Sequence, residues 1–124
     1  MAFMTPDSVT TVPSLPADTA IDDVDLAALA ARLGTPLHAY SSSAIRQRIG
    51  GLQAALRGLD ATICYAVKAN PNLAILQLMA NAGVGADIVS VGELRRSLHA
   101  GMPPERIVFS GVGKSADEIA GALT

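Results

Sequence analysis

Residues 62–72 read Thr62-Ile63-Cys64-Tyr65-Ala66-Val67-Lys68-Ala69-Asn70-Pro71-Asn72. The first six are almost entirely apolar and rich in β-branched and aromatic types. Such a run reads as a strand buried on both faces, the habit of parallel sheets. Pro71 suits the first turn of a helix, and the apolar stretch 73–82 carries that helix to Gly83. One strand, one short connection and one helix make a unit, and the same signals recur downstream. Residues 86–91 predict a second buried strand, followed by a helix over 93–100 that stops at Gly101. After a Met102-Pro103-Pro104 turn, residues 106–110 (R-I-V-F-S) predict a third, and 115–123 a further helix. Short connections between alternating strands and helices demand parallel strands with helical crossovers, an α/β fold. An open doubly wound sheet and part of a (β/α)8 TIM barrel both satisfy that pattern.

Upstream of the quoted stretch, Ile45, Ile49, Leu52, Ala55 and Leu56 form one stripe of a helix over 44–57. Ser41, Ser42 and Ser43 are its N-cap candidates and Gly58 its stop. Residues 36–40 predict a short strand. Before it, Asp23 or Asp25 can start a helix striped by Leu26, Leu29, Ala30 and Leu33 and ended by Gly34. Residues 1–20, with Pro6, Pro13 and Pro16 and no apolar period, read as a flexible leader. Three strand–helix units are too few for a barrel of eight, which takes about 250 residues. Alone they would expose an apolar sheet edge. The expectation is therefore a truncated barrel: a leader over 1–20, a helix and strand over 21–40, and the first three or so barrel units over 41–124.

Composition narrows the function. The 124 residues carry 9 basic and 11 acidic side chains, a net charge of -2, and no basic stripe, so nucleic acid is not an expected partner. Only 3% of residues are aromatic, so the core must be aliphatic. The single cysteine, Cys64, allows no internal disulfide and no cysteine-based metal site; no metal is expected. No secretory signal or membrane-length apolar run is present, so no membrane association is expected and the default setting is cytoplasmic. Cys64 reads as a small packed hydrophobe, and His38 and His99 as structural.

Lys68 stands at the C-terminal end of the strand, where parallel barrels carry their active sites. A lysine there can form an imine with a carbonyl once its charge is suppressed, although position alone would equally suit a solvated loop lysine. The flanking residues add to this. The string Tyr65-Ala66-Val67-Lys68-Ala69-Asn70 resembles the cofactor-lysine segment of the fold-type-III pyridoxal-phosphate decarboxylases, enzymes with an alanine-racemase-like barrel. Three further stretches follow the same family in order: the opening strand Gly34-Thr35-Pro36-Leu37-His38-Ala39-Tyr40, then Gly85-Ala86-Asp87-Ile88-Val89-Ser90-Val91-Gly92-Glu93-Leu94, then Ala100-Gly101-Met102-Pro103-Pro104-Glu105-Arg106-Ile107-Val108-Phe109 with Gly113-Lys114-Ser115 behind it. Asn72 fits the members acting on meso-2,6-diaminopimelate. Alanine racemases share the fold but differ after the lysine.

The resemblance implies pyridoxal 5'-phosphate as cofactor, held covalently by Lys68, with Ala66 and Asn70 lining the pocket mouth and Asp87 and Glu93 as polar neighbours of the linkage. It implies decarboxylation of meso-2,6-diaminopimelate to L-lysine and carbon dioxide, or of ornithine, arginine or carboxynorspermidine, in a homodimer. The strand over 36–40 would belong to a separate β-rich domain, and the chain by itself would be inactive. The residues also have plainer readings. A carboxylate in a strand needs a partner or must face solvent, and Glu93 in a first helical turn is favoured by the helix dipole alone. Another class stays open: Gly111-Val112-Gly113-Lys114-Ser115-Ala116 fits G-x-G-x-x-A of dinucleotide-binding folds. A non-catalytic homologue that keeps the barrel for partner binding is a further alternative.

Overall fold

The computed structural model describes residues 19–123, and the chain divides into two compact units, Met1–Ser41 and Ser42–Thr124. The leader expected over 1–20 lies outside the described residues, apart from Thr19 and Ala20.

The first unit contains a small hairpin that the sequence reading did not anticipate. Strand β1 (Ala20–Ile21) pairs antiparallel with β2 (Val24–Asp25), in register Ala20 with Asp25 and Ile21 with Val24. The two turn residues, Asp22 and Asp23, have φ of 50° and 63°. Two consecutive positive φ values give a loop whose twist matches the flanking strands. Aspartate tolerates that region because its short polar side chain can bond locally. Ala20, expected within the leader, is thus part of a strand. Helix α1 (Leu26–Leu33) begins as expected: Asp25 Oδ1 accepts the Ala27 N–H at 2.8 Å and the Ala28 N–H at 3.2 Å. Gly34, at φ 83°, ends it. The strand expected over 36–40 is not formed. A strand exists only as part of a ladder, and no described residue pairs with this segment.

In the second unit, helix α2 (Ser42–Ala55) precedes β3 (Cys64–Ala66). A 3-10 turn, Val67–Ala69, then leads toward α3 (Leu73–Asn81). Next come β4 (Gly85–Ile88), α4 (Val91–His99), a 3-10 turn at Pro104–Arg106, β5 (Ile107–Phe109) and α5 (Ala116–Leu123). The sheet order is β3-β4-β5 and both pairings are parallel. The α/β expectation holds, as three strands of an incomplete barrel rather than a closed one. The strands are shorter than expected, since Val67, Val89 and their neighbours leave the ladder to turn toward the helices.

Helices cover one face of the sheet. Ala86 and Ile88 are fully buried there, with Ile75, Leu76 and Met79 of α3 and with Val67, Val84, Ala100 and Met102. Side chains alternate along a strand, so Ala66, Asp87 and Val108, which share one row of the register, lie on the opposite face. That face is open: Val108 is 52% exposed and Asp87 is half-buried. Burial on both faces, expected for all three strands, is therefore not observed; β4 comes nearest, with only Asp87 half-buried, whereas β3 and β5 are further exposed. They are the edges of the sheet, and their apolar composition matches an environment that the described residues do not supply.

At the other end of the strands the packing is tight. A Cβ on Gly85 would lie 2.2 Å from the Arg106 carbonyl oxygen, so only glycine lets β4 and β5 approach there. Gln53 Nε2 donates to the Ala82 carbonyl at 2.7 Å, and Arg106 donates to the Gly83 carbonyl. The last carbonyls of α3 are met by the backbone N–H groups of Ala82, Gly83 and Val84, and these two side chains bind the carbonyls of the turn that follows the helix.

Candidate active site

The C-terminal ends of the three strands carry the polar groups. The backbone around Lys68 is fixed on both sides. Val67 is fully buried and anchors the turn in the core. The Tyr65 hydroxyl donates to the Asn70 carbonyl at 3.3 Å. Asn70 Oδ1 accepts the Asn72 N–H at 3.0 Å, and Asn72 Oδ1 accepts the Ala74 N–H at 2.9 Å, capping α3. Asn72 rather than Pro71 thus sets the start of that helix. Arg96 donates a long bond, 3.4 Å, to the Pro71 carbonyl. Lys68 itself is exposed, and among the described residues nothing bonds its amine. The result is a hydrogen-bonded backbone turn that presents an exposed lysine amine.

One strand over, Ala66 stands opposite Asp87 in the ladder, so these two expected site residues share a row and a face. The Ser110 hydroxyl donates to Asp87 Oδ1. Ser110 follows β5, two residues past Val108, and so returns to the same face. Nothing in the sequence singled out Ser110; the signal that could have found it is its spacing of two from Val108, the register partner of Asp87.

Glu93 has a different local duty. One oxygen, Oε2, accepts the Val89 N–H at 2.7 Å, and its own N–H donates to Ser90 Oγ at 3.2 Å. This Ser-x-x-Glu exchange is a variant of the capping box, displaced by one residue. It starts α4 at Val91, two residues earlier than expected. The buried Ser97 hydroxyl donates to the Glu93 carbonyl at 2.9 Å. Asn70, for its part, spends its side-chain oxygen on Asn72.

The stretch 111–116 does not present a phosphate-binding helix end. Ser115 N–H donates to Glu118 Oε2 at 2.9 Å and Glu118 N–H donates to Ser115 Oγ at 3.2 Å. A carboxylate therefore already occupies the start of α5, where a pyrophosphate would have to sit. The Lys114 ammonium donates to the Phe109 carbonyl at 3.1 Å and to the Gly111 carbonyl, and lies 5.0 Å from the centre of the Phe109 ring. Its charge is spent inside the loop.

Pyridoxal 5'-phosphate needs an amine able to condense with its aldehyde, and polar groups beside that linkage. An unbonded amine on a fixed turn, with a carboxylate on the adjacent strand of the open sheet face, fits that requirement. A parallel sheet with helical crossovers, carrying a lysine past one strand end and an acid on the next, is the arrangement of an α/β enzyme that binds an aldehyde cofactor by its lysine. Residues 42–124, the whole second unit, match the family described as "Pyridoxal-dependent decarboxylase, pyridoxal binding domain", and the chain belongs to that family.

Named relatives narrow the resemblance. The diaminopimelate decarboxylase of Zymomonas mobilis is 50% identical over 106 residues, covering 83% of this chain and 25% of that protein. The Helicobacter pylori (strain J99) enzyme of the same name is 54% identical over 89 residues, covering 72% of this chain and 22% of that protein. Among solved structures, diaminopimelate decarboxylase from Helicobacter pylori complexed with L-lysine superposes with a TM-score of 0.76 at 48% identity, over 80% of this chain and 25% of that one. The chain thus spans about a quarter of the length of the curated relatives it matches.

Proposed function

We propose that Lys68 is the attachment point of pyridoxal 5'-phosphate, and that the protein carrying this chain decarboxylates an amino acid, with meso-2,6-diaminopimelate as substrate and L-lysine as product. The observation that carries the reading is the exposed Lys68 amine, unbonded among the described residues, on a turn held by Tyr65 and Asn70 at the C-terminal end of β3. The substrate rests on the relatives, which share 46–54% identity under one enzyme name.

The cofactor, when bound, supplies an electron sink for the bond to the departing carboxylate. The chain's own residues orient and move protons. Lys68 would hold the cofactor through its amine, and its place at the strand end would let it return a proton there. Asp87 places a carboxylate on the open face, in the row of Ala66 on the neighbouring strand. Ala66, small and in the same row, leaves space beside the carboxylate. Asn70 and Tyr65 keep the lysine turn from shifting, and Glu93 acts by holding the segment after β4. Residues 21–40 belong with a β-rich domain, and residues 36–40 gain a strand partner there. The working form is a homodimer in the cytoplasm, and the isolated 124-residue chain has no activity.

The test is an amino-acid panel with the full-length protein: meso-diaminopimelate, ornithine, arginine, L-lysine and carboxynorspermidine, followed by carbon dioxide release and product analysis. Carbon dioxide with L-lysine from meso-diaminopimelate alone is expected. Turnover of another member reassigns the substrate, and no turnover of any overturns the proposal.

A further inference from the structure

We infer that Ser110 is a positioning residue for Asp87, fixing its carboxylate on the open face of the sheet; this rests on the proposed role of Lys68 and Asp87. Among the described residues, the Ser110 hydroxyl is the side-chain donor to the Asp87 carboxylate, and no cation bonds it. A carboxylate accepts about four hydrogen bonds. One donor on Oδ1 therefore restrains the group while leaving capacity on both oxygens for a cationic nitrogen. A half-buried aspartate without that donor could swing among its rotamers at little cost.

The loop after β5 is built to deliver the hydroxyl. Ser110 N–H donates to the Ile88 carbonyl at 2.9 Å, extending the ladder one residue beyond the strand. A Cβ on Gly111 would lie 2.9 Å from the Val89 oxygen and 3.0 Å from its Cα, so a side chain there would push the loop away from β4. Val89 is itself held by Glu93 Oε2 at 2.7 Å. Lys114 ties the far side of the loop to the Phe109 and Gly111 carbonyls. Glu93, Val89, Gly111 and Ser110 thus form one chain of contacts that ends on Asp87. Through it, Glu93 is linked to the Asp87 carboxylate by contacts of the loop.

The test uses the full-length protein loaded with pyridoxal 5'-phosphate, as wild type, Ser110→Ala, Ser110→Thr, Asp87→Asn and the double variant Ser110→Ala/Asp87→Asn. The readouts are the ratio of the visible bands of the bound cofactor at fixed pH, the split between kcat and KM, and the site of borohydride label. Ser110→Ala should lower kcat about 10-fold, the low end of what a misplaced catalytic group costs, with KM within about twofold. It should move the band ratio in the same direction as Asp87→Asn. The double variant should match Asp87→Asn alone, because residues acting through one contact are not additive. Ser110→Thr, which keeps the hydroxyl, should restore the wild-type spectrum. A wild-type spectrum and kcat in Ser110→Ala, or full additivity in the double variant, overturns the role of Ser110 while label on Lys68 upholds the functional reading. Wild type without label on Lys68 overturns both.

Discussion

The chain has two lysines, Lys68 and Lys114, and each follows the C-terminal end of a strand in the same parallel sheet. Their surroundings are opposite. Lys114 donates to two carbonyls of its own loop and sits over the Phe109 ring, which ties the connection between β5 and α5. Around Lys68 the backbone is bonded by Tyr65, Asn70 and Asn72, and the ammonium is left over. A lysine that satisfies its loop is a structural element, whereas a lysine whose loop is satisfied without it is available for chemistry. The strand-end position, shared by both, does not separate them; the hydrogen bonds do.

The largest effect should come from removing the free amine. Lys68→Ala should lower decarboxylation by about a thousandfold or more, the scale on which loss of a covalent nucleophile acts. Its unfolding free energy should stay within about 0.5 kcal/mol of wild type, as for other exposed substitutions. A large loss of stability would mean that Lys68 bears load like Lys114.

Ile88→Ala probes the covered face of β4, next to Asp87 on the open one. Ile88 is fully buried, and its truncation should cost about 2–5 kcal/mol in denaturant unfolding. Cofactor label on Lys68 should persist in the fraction that folds. Lys114→Met should cost less, about 1–3 kcal/mol, for the lost charged bonds to carbonyls. It too should keep the label on Lys68. Loss of label in Lys114→Met, with the fold intact by circular dichroism, would erase the distinction between the two lysines.

Glu93 gives the smallest and sharpest comparison. Glu93→Gln can still accept the Val89 N–H, so it should change stability by only a few tenths of a kcal/mol, whereas Glu93→Ala should cost about 1 kcal/mol through the lost cap. If Glu93→Gln reduced kcat as far as Glu93→Ala does, its charge, and not its cap, would be the operative feature.

The sequence made the repeating units legible because strands and helices differ in period, and glycines such as Gly34 and Gly83 mark the ends. It could not show which strands are edges. Residues 62–67 and 106–110 are as apolar as the central strand, since composition reports the environment a segment is suited to rather than the neighbours it has. The hairpin at Asp22 and Asp23 escaped because its turn lacks the glycine that usually signals two positive φ values. The strand expected over 36–40 failed for the complementary reason: extended propensity does not create a ladder partner. At the site, Lys68 was marked by its flanking string, and Glu93 was read as a first-turn acid, while the Ser90 cap three residues before it emerged only in the structure. The Ser110–Asp87 bond joins residues 23 apart, and only the register of β4 and β5 brings them together.

The most direct test is borohydride reduction of the cofactor-loaded full-length protein, followed by peptide mapping of the pyridoxyl label. Label on Lys68, with Lys114 unmodified, is the predicted result. Label on Lys114, or on neither lysine, would contradict the assignment of Lys68 as the cofactor lysine.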